Sequence, residues 1–327
     1  MRAWLLDRME GIAALRLGEV PDPAPADGEV IVDVMLAALN PADRYLSEGQ
    51  YPARPTLPHI LGRDGIGTVT AVGAGVKDLK VNDQRIFLRG DAGVTRPGTF
   101  AQRVAVPQEW LVTAPSSWTD EQAAGATLVY ITAYQALTQW GDLPPASVVL
   151  VSGASGGVGV ATTQLASAMG HTVVGLSRSA TKSETLKKLG ATVTLDPGAP
   201  DWPTQLKKEL AGRKVDLAVD NIGGQGFAQI IETMGNQGRV SVVGQLAGPV
   251  PRFNTASLFF RRLRIGGVAI ASYSNAESRA AWEKTVRLLA TTDAKPVVDH
   301  VFEFDQLPAA FERLAHGPMG KVLLKVK

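Results

Sequence analysis

The sequence predicts an α/β protein of two lobes, one strand-rich and the other a doubly wound parallel sheet, and three observations carry that expectation. Short β-type runs broken by Gly and Pro fill the first third of the chain. From Ala146 onward apolar strands alternate with amphipathic helices, and the first of these strands runs into a glycine-rich turn. The 327 residues, 45% hydrophobic and 20% charged, suffice for two cores.

In chain order, the first lobe shows strand runs at residues 29–36, 65–72, 84–88 and 100–106. Near Thr119 the character changes: Asp120 and Glu121 open a small-residue stretch through Leu137 that reads as helical, with Thr119 as its N-cap. Strands are then expected at 148–152, 172–176, 215–219 and 238–243 with helices between, a pattern of parallel strands joined by right-handed crossovers. After Gly267 come a helix at 275–289, a strand at 301–304, a helix at 307–314 and a closing strand at 321–326. These last pieces are assigned to the first lobe, which therefore comprises 1–117 and 269–327, with 118–268 inserted between.

Composition narrows the function. Net charge is +2, basic and acidic residues interleave, and no basic stripe carries the interleaved aromatics of a nucleic-acid groove. The amino-terminal apolar runs are interrupted by charge, and no window reaches transmembrane length. Cysteine is absent, which removes disulfides, thiolate nucleophiles and cysteine-ligated zinc. The expectation is a cytoplasmic protein with small-molecule partners and neither nucleic acid nor membrane. His59, His171, His300 and His316 are spread too widely for a metal site.

The strongest local signal is the segment 148–159, an apolar strand followed by Gly153, Ala154, Ser155, Gly156, Gly157, Val158 and Gly159 at the head of a helix. In such a turn Gly156 lets the backbone approach a pyrophosphate, Gly159 permits close packing, and the helix N-terminus attracts negative charge. This is a Rossmann fingerprint with Ala154 in place of its first glycine. After the second strand, where an acidic residue would hold the ribose 2′-hydroxyl of NAD, the chain has Ser177, Arg178 and Ser179, with Lys182 close by. A guanidinium there suits a 2′-phosphate, so NADPH is the expected cofactor.

Five segments then carry a resemblance over nearly the whole length: Asn40-Pro41-Ala42-Asp43; Gly49 to Pro52 leading to the run 61–67; residues 98–103; residues 132–137; and the glycine-rich turn followed by Leu189, Gly190 and Ala191. With them the chain resembles the medium-chain dehydrogenase/reductase superfamily, and within it the zinc-free quinone oxidoreductase branch. The resemblance implies a GroES-like substrate lobe, a Rossmann lobe and a cleft between them, with assembly as a homodimer through the last Rossmann strand. Zinc-dependent members place Cys where this chain has Asn40, and Gly-His-Glu where it has Gly62, Arg63 and Asp64. It implies Thr127, Asn221, Gly244 and Lys321 at the cofactor, beside Ser155, Gly156, Gly157, Val158, Ser177, Arg178 and Lys182.

Without metal or thiol, the cofactor must carry the chemistry and the protein must orient it. Hydride transfer to a quinone or to a C=C conjugated with a carbonyl meets that limit, with hydrogen-bond donors for the charge that develops. Tyr51, Tyr45, Asn40 and Tyr130 are the candidate catalytic residues. Tyr51 resembles the tyrosine proton donor of 2-enoyl thioester reductases, a sister branch; for each tyrosine the alternative is a packed aromatic. Asp43 reads as a turn or cap carboxylate, and a backbone-bonded helix hydroxyl is the rival role for Thr127. Two further functions stay open, a 2-enoyl thioester reductase and a non-catalytic NADPH-binding protein.

Overall fold

A computed structural model describes residues 1–249 and 253–327. It divides into two compact units: Met1–Leu128 with Ser274–Arg279 and Pro296–Lys327, and Val129–Tyr273 with Ala280–Lys295.

The first unit opens with β1 (Arg2–Leu6) and β2 (Leu15–Glu19), an antiparallel pair whose interspersed charges hide it from a reading of periodicity. There follow β3 (Glu29–Ala38), α1 (Pro41–Ser47), β4 (Asp64–Val72), β5 (Gln84–Phe87), β6 (Arg103–Pro107), β7 (Leu111–Val112) and α2 (Asp120–Ala124). The second unit takes up α3 (Thr127–Thr138) from Val129 and continues through β8 (Val148–Val151), α4 (Gly157–Ala168), β9 (Thr172–Leu176), α5 (Ala180–Lys188), β10 (Val193–Leu195) and α6 (Trp202–Glu209). It runs on through β11 (Val215–Asp220), α7 (Gly226–Thr233), β12 (Met234–Val242), α8 (Ala256–Arg261) and β13 (Arg264–Gly267). After α9 (Asn275–Ala290) the chain returns to the first unit with β14 (Val298–Glu303), α10 (Leu307–Ala315) and β15 (Lys321–Lys325).

In the first unit a seven-stranded sheet runs β14-β15-β3-β4-β5-β7, with β6 also paired to β3. Its inward aliphatics, Val30, Val32 and Val34 of β3 with Val69, Val104 and Val106, close on Phe100 and Phe311, whose rings meet edge to face at 6.0 Å. Burying each such side chain is worth about 1.5–3 kcal/mol. The second unit is a six-stranded parallel sheet ordered β10-β9-β8-β11-β12-β13. Its central strand β8 is buried along its whole length, hence the unbroken apolar run of its sequence. The order reverses between β8 and β11, and dinucleotides bind beyond the carboxyl ends of the strands at such a reversal.

Three expectations are corrected. The helix over 120–137 is two helices: Thr119 does cap α2, exchanging bonds with Gln122, but the chain breaks at Gly125. A Cβ there would lie 2.9 Å from Cγ of Lys321, so only glycine admits that side chain so close. Strand β12 starts at Met234, ahead of residue 238, because Val215 pairs with Met234 across a register shift. The lobe boundary moves from 117/118 to 128/129, since α2 packs on β3, β4 and β5. At the other end, α9 is divided. Arg279 donates to the carbonyls of Glu109 and Leu111 in the first unit, whereas Lys284 lies over the Tyr134 ring at 6.0 Å in the second.

Candidate active site

In the second unit the turn 153–159 joins β8 to α4 at the sheet reversal. Its N-cap is Gly156, which has no side chain to satisfy the first-turn N–H groups of Gly157 and Val158. A Cβ on Gly156 would meet nothing nearer than 3.5 Å, while one on Gly159 would lie 2.3 Å from the carbonyl oxygen of Gly153. One glycine thus keeps open space and the other lets the helix pack on the turn. Ser155, Gly156, Gly157 and Val158 are all partly exposed at this helix head. Across the reversal Asn221 follows β11; its Nδ2 donates to the Ser152 carbonyl at 2.8 Å and its N–H to Ser152 Oγ at 2.9 Å. Asn221 is only 9% exposed, yet its Oδ1 is buried with no partner in the protein. An orphaned buried acceptor calls for a partner, and a ligand donor at the sheet reversal would supply one. Gly244, after β12, stands where a Cβ would come 2.6 Å from the Asn221 carbonyl oxygen. These features fit a nicotinamide dinucleotide.

At the end of β9, Ser177 is buried and Arg178 exposed. Ser179 caps α5, its hydroxyl accepting from the Lys182 N–H at 3.4 Å. Ser177 and Arg178 line an open groove that continues along α5 through Thr181, Ser183 and Lys188. Lys182 lies outside that lining and Lys188 within it, because residues spaced three or four apart share one helix face.

The first unit holds a buried network of charge. Lys321 Nζ donates to the Leu39 carbonyl (2.9 Å), Asn40 Oδ1 (2.7 Å) and Asp64 Oδ2 (3.3 Å). Thr127 Oγ1 contacts Asp64 Oδ1 at 2.9 Å and the Phe87 carbonyl at 2.5 Å. Asp43 caps α1, accepting from the Asn40 N–H at 2.9 Å, and accepts from Arg63 Nε at 3.1 Å. Arg63 Nη1 donates to the Tyr51 phenol oxygen at 3.3 Å. Burial pushes the Asp43 carboxyl up, against the pull of Arg63, and pushes the Lys321 ammonium down, against Asp64 and Asp43.

Several site expectations change on this geometry. Tyr130 is fully buried, its hydroxyl is donated to Gln164 Oε1, and burial drives its ionisation up, so the phenol is engaged within the second unit. Lys321, expected at the cofactor, spends all three ammonium donors inside the first unit. Asn40 and Thr127 are likewise committed to Asp64 and Lys321, so they hold the network rather than reach outward. Thr127 also bonds across to Phe87 instead of along its own helix. Tyr45 is half-buried on α1, and burial pushes its phenol up. The part played by Arg63, Asp64 and Asp43 as a paired set escapes a reading of single motifs, although two charges at positions 63 and 64 do require buried partners.

Residues 26–116 match the family described as alcohol dehydrogenase GroES-like domain, and 157–291 the family described as zinc-binding dehydrogenase. The human synaptic vesicle membrane protein VAT-1 homolog is 31% identical over 99% of this chain and 86% of its own length. The chain belongs to the medium-chain dehydrogenase/reductase superfamily. Among solved structures, an NAD-dependent alcohol dehydrogenase is 30% identical with a TM-score of 0.92, and Escherichia coli quinone oxidoreductase complexed with NADPH is 25% identical with a TM-score of 0.89; both alignments cover both chains fully. This superfamily member is quinone-oxidoreductase-like and an NAD(P)-dependent oxidoreductase. The zinc named in one family description does not fit its residues. Asn40 offers an amide already bonded to Lys321, Arg63 and Lys321 are cations, and among the described residues no three His, Cys, Asp or Glu are grouped to hold a metal. No helix among them is long and apolar enough to cross a membrane.

Proposed function

We propose that the protein is a cytoplasmic, zinc-independent, NADPH-dependent reductase of quinones or of C=C bonds conjugated to a carbonyl. The observation that carries this reading is the Lys321–Asp64–Asn40 cluster: Asn40 and Asp64, which stand where the resemblance places zinc-ligand segments, are hydrogen-bonded to a side-chain ammonium instead. Reduction must then fall on substrates that are already electron-poor. Bound NADPH supplies the hydride. The head of α4 would hold the pyrophosphate, Asn221 Oδ1 would accept from the carboxamide end, and Arg178 would pair with the 2′-phosphate, with Ser177 and Lys188 of the same groove assisting. Tyr51 protonates the enolate left by hydride addition, and reduced quinones take protons from water. A steady-state panel of NADPH and NADH oxidation against quinones, short enones and enoyl thioesters of rising chain length tests the reading. No turnover on any acceptor, or loss of activity with stripping of a stoichiometric zinc, overturns it.

The reading includes a homodimer. Strand β13 is the outer strand of its sheet, and Phe259 and Phe260 just before it are 65% and 78% exposed. An unpaired edge beside exposed aromatics is a liability that a two-fold pairing removes. A single monomeric species in sedimentation at micromolar concentration counts against it.

A further inference from the structure

Arg63 joins the buried network to Tyr51. Its side chain is 6% exposed and paired with Asp43 through Nε, while Nη1 reaches the Tyr51 phenol oxygen and the guanidinium lies over the Tyr51 ring, 5.0 Å from its centroid. A guanidinium carries donors only, so in this contact the phenol oxygen is the acceptor. The phenolic O–H is therefore left to donate elsewhere, and it has no hydrogen-bond acceptor among the described residues. Tyr51 itself is only partly buried. The other cation near it, Arg54, spends Nη1 on the main-chain carbonyls of Tyr51 and Ala53.

We propose that Arg63 is the positioning residue for Tyr51, holding its oxygen from behind so that the phenolic proton points away toward substrate and the charge left by its departure is stabilised. The inference rests on the reading of Tyr51 as proton donor to an enolate. In the step, the Tyr51 O–H bond breaks and a C–H bond forms at the enolate α-carbon; the electron pair stays on the phenol oxygen, which then takes a proton from water. Arg63 gives up no proton. Its fork spans Asp43 and Tyr51 together, a geometry that the single ammonium of lysine does not reproduce. Asp43 locks the fork, and the Asn40 N–H locks Asp43.

The test compares wild type, Tyr51→Phe, Arg63→Lys and the double variant on methyl vinyl ketone and on 1,4-benzoquinone at saturating NADPH. Each single change should lower kcat on the enone by roughly a hundredfold, the size of a lost general acid. The double variant should be no slower than Tyr51→Phe, KM and NADPH affinity should stay within about twofold, and the loss on the quinone should be at least about tenfold smaller than on the enone. Losses that multiply in the double variant, a loss carried by KM, or an equal loss on the quinone would overturn the role of Arg63 while leaving the reductase reading intact. A wild type that reduces quinones alone also overturns it, and one that oxidises NADPH with neither acceptor removes both readings together. Should Arg63→Lys fail to fold, Arg63→Gln combined with Asp43→Asn keeps a neutral hydrogen-bonded pair and carries the same expectations.

Discussion

The glycine-rich turn of the second unit and the buried network of the first treat polar groups in opposite ways. At the turn, first-turn N–H groups have no capping side chain, Gly156 faces open space and Asn221 keeps an unpaired Oδ1. In the network, Lys321, Asp64, Asn40, Asp43 and Thr127 consume one another's hydrogen bonds. Spare hydrogen-bonding capacity is left at the turn, where the proposed cofactor would use it, and is spent within the network. Arg63 is intermediate: two of its nitrogens are engaged and its buried Nη2 is not.

The contrast can be broken most forcefully at Lys321. Lys321→Met strands the Asp64 carboxylate in a dry site and should cost about 3–5 kcal/mol of folding stability in urea titration. The folded fraction should still bind NADPH normally by fluorescence; weakened binding would return Lys321 to the cofactor. On the other side of the contrast, Arg178→Ala should weaken NADPH by about ten- to a hundredfold, for a charge-assisted contact worth roughly 1.5–3 kcal/mol, and leave NADH almost untouched. Equal weakening of both cofactors would make Arg178 an ordinary surface residue.

Gly156→Ala sharpens the idea of spare capacity. The position has φ −74, and a Cβ meets only ordinary contact distances, so the fold should be unaffected. A methyl group pushed into the space expected for pyrophosphate should nevertheless weaken NADPH by about tenfold, or 1.4 kcal/mol. Unchanged affinity by calorimetry would show that the cofactor does not pass over this turn.

The smallest effect concerns His59, buried in the first unit with Nε2 unpartnered. Burial holds its imidazole below the ordinary value of 6.5, opposed by the Gly93 carbonyl and reinforced by Arg63. The unfolded chain then binds protons that the folded chain refuses. Stability should be full above pH 6.5 and decline as pH falls toward the depressed folded value. His59→Asn should flatten part of that decline in pH-dependent denaturation. His171, which burial also depresses, should contribute in the same direction.

Local pattern was enough for much of this protein. The alternation of strands and helices, the Thr119 cap, the glycine turn and the Arg178 position all lie within short segments, where steric and periodic constraints act on neighbouring residues. The groove lined by Ser177 and Arg178 lies where local pattern placed those residues, with Lys188 rather than Lys182 facing it.

Tertiary structure alone decided the pairing of buried charge. Lys321 and Asp64 are 257 residues apart in sequence, and nothing local says that the ammonium ends on that carboxylate instead of on a cofactor phosphate. Tyr130 has the same spacing whether its hydroxyl meets substrate or Gln164, and only packing brings it to Gln164. The sequence by itself determined most of the elements and the glycine turn proposed for phosphate, because those follow from neighbours along the chain. Which polar groups are spent and which remain free depends on partners that distant strands bring together, since a buried charge must find its counter-charge wherever the fold places one.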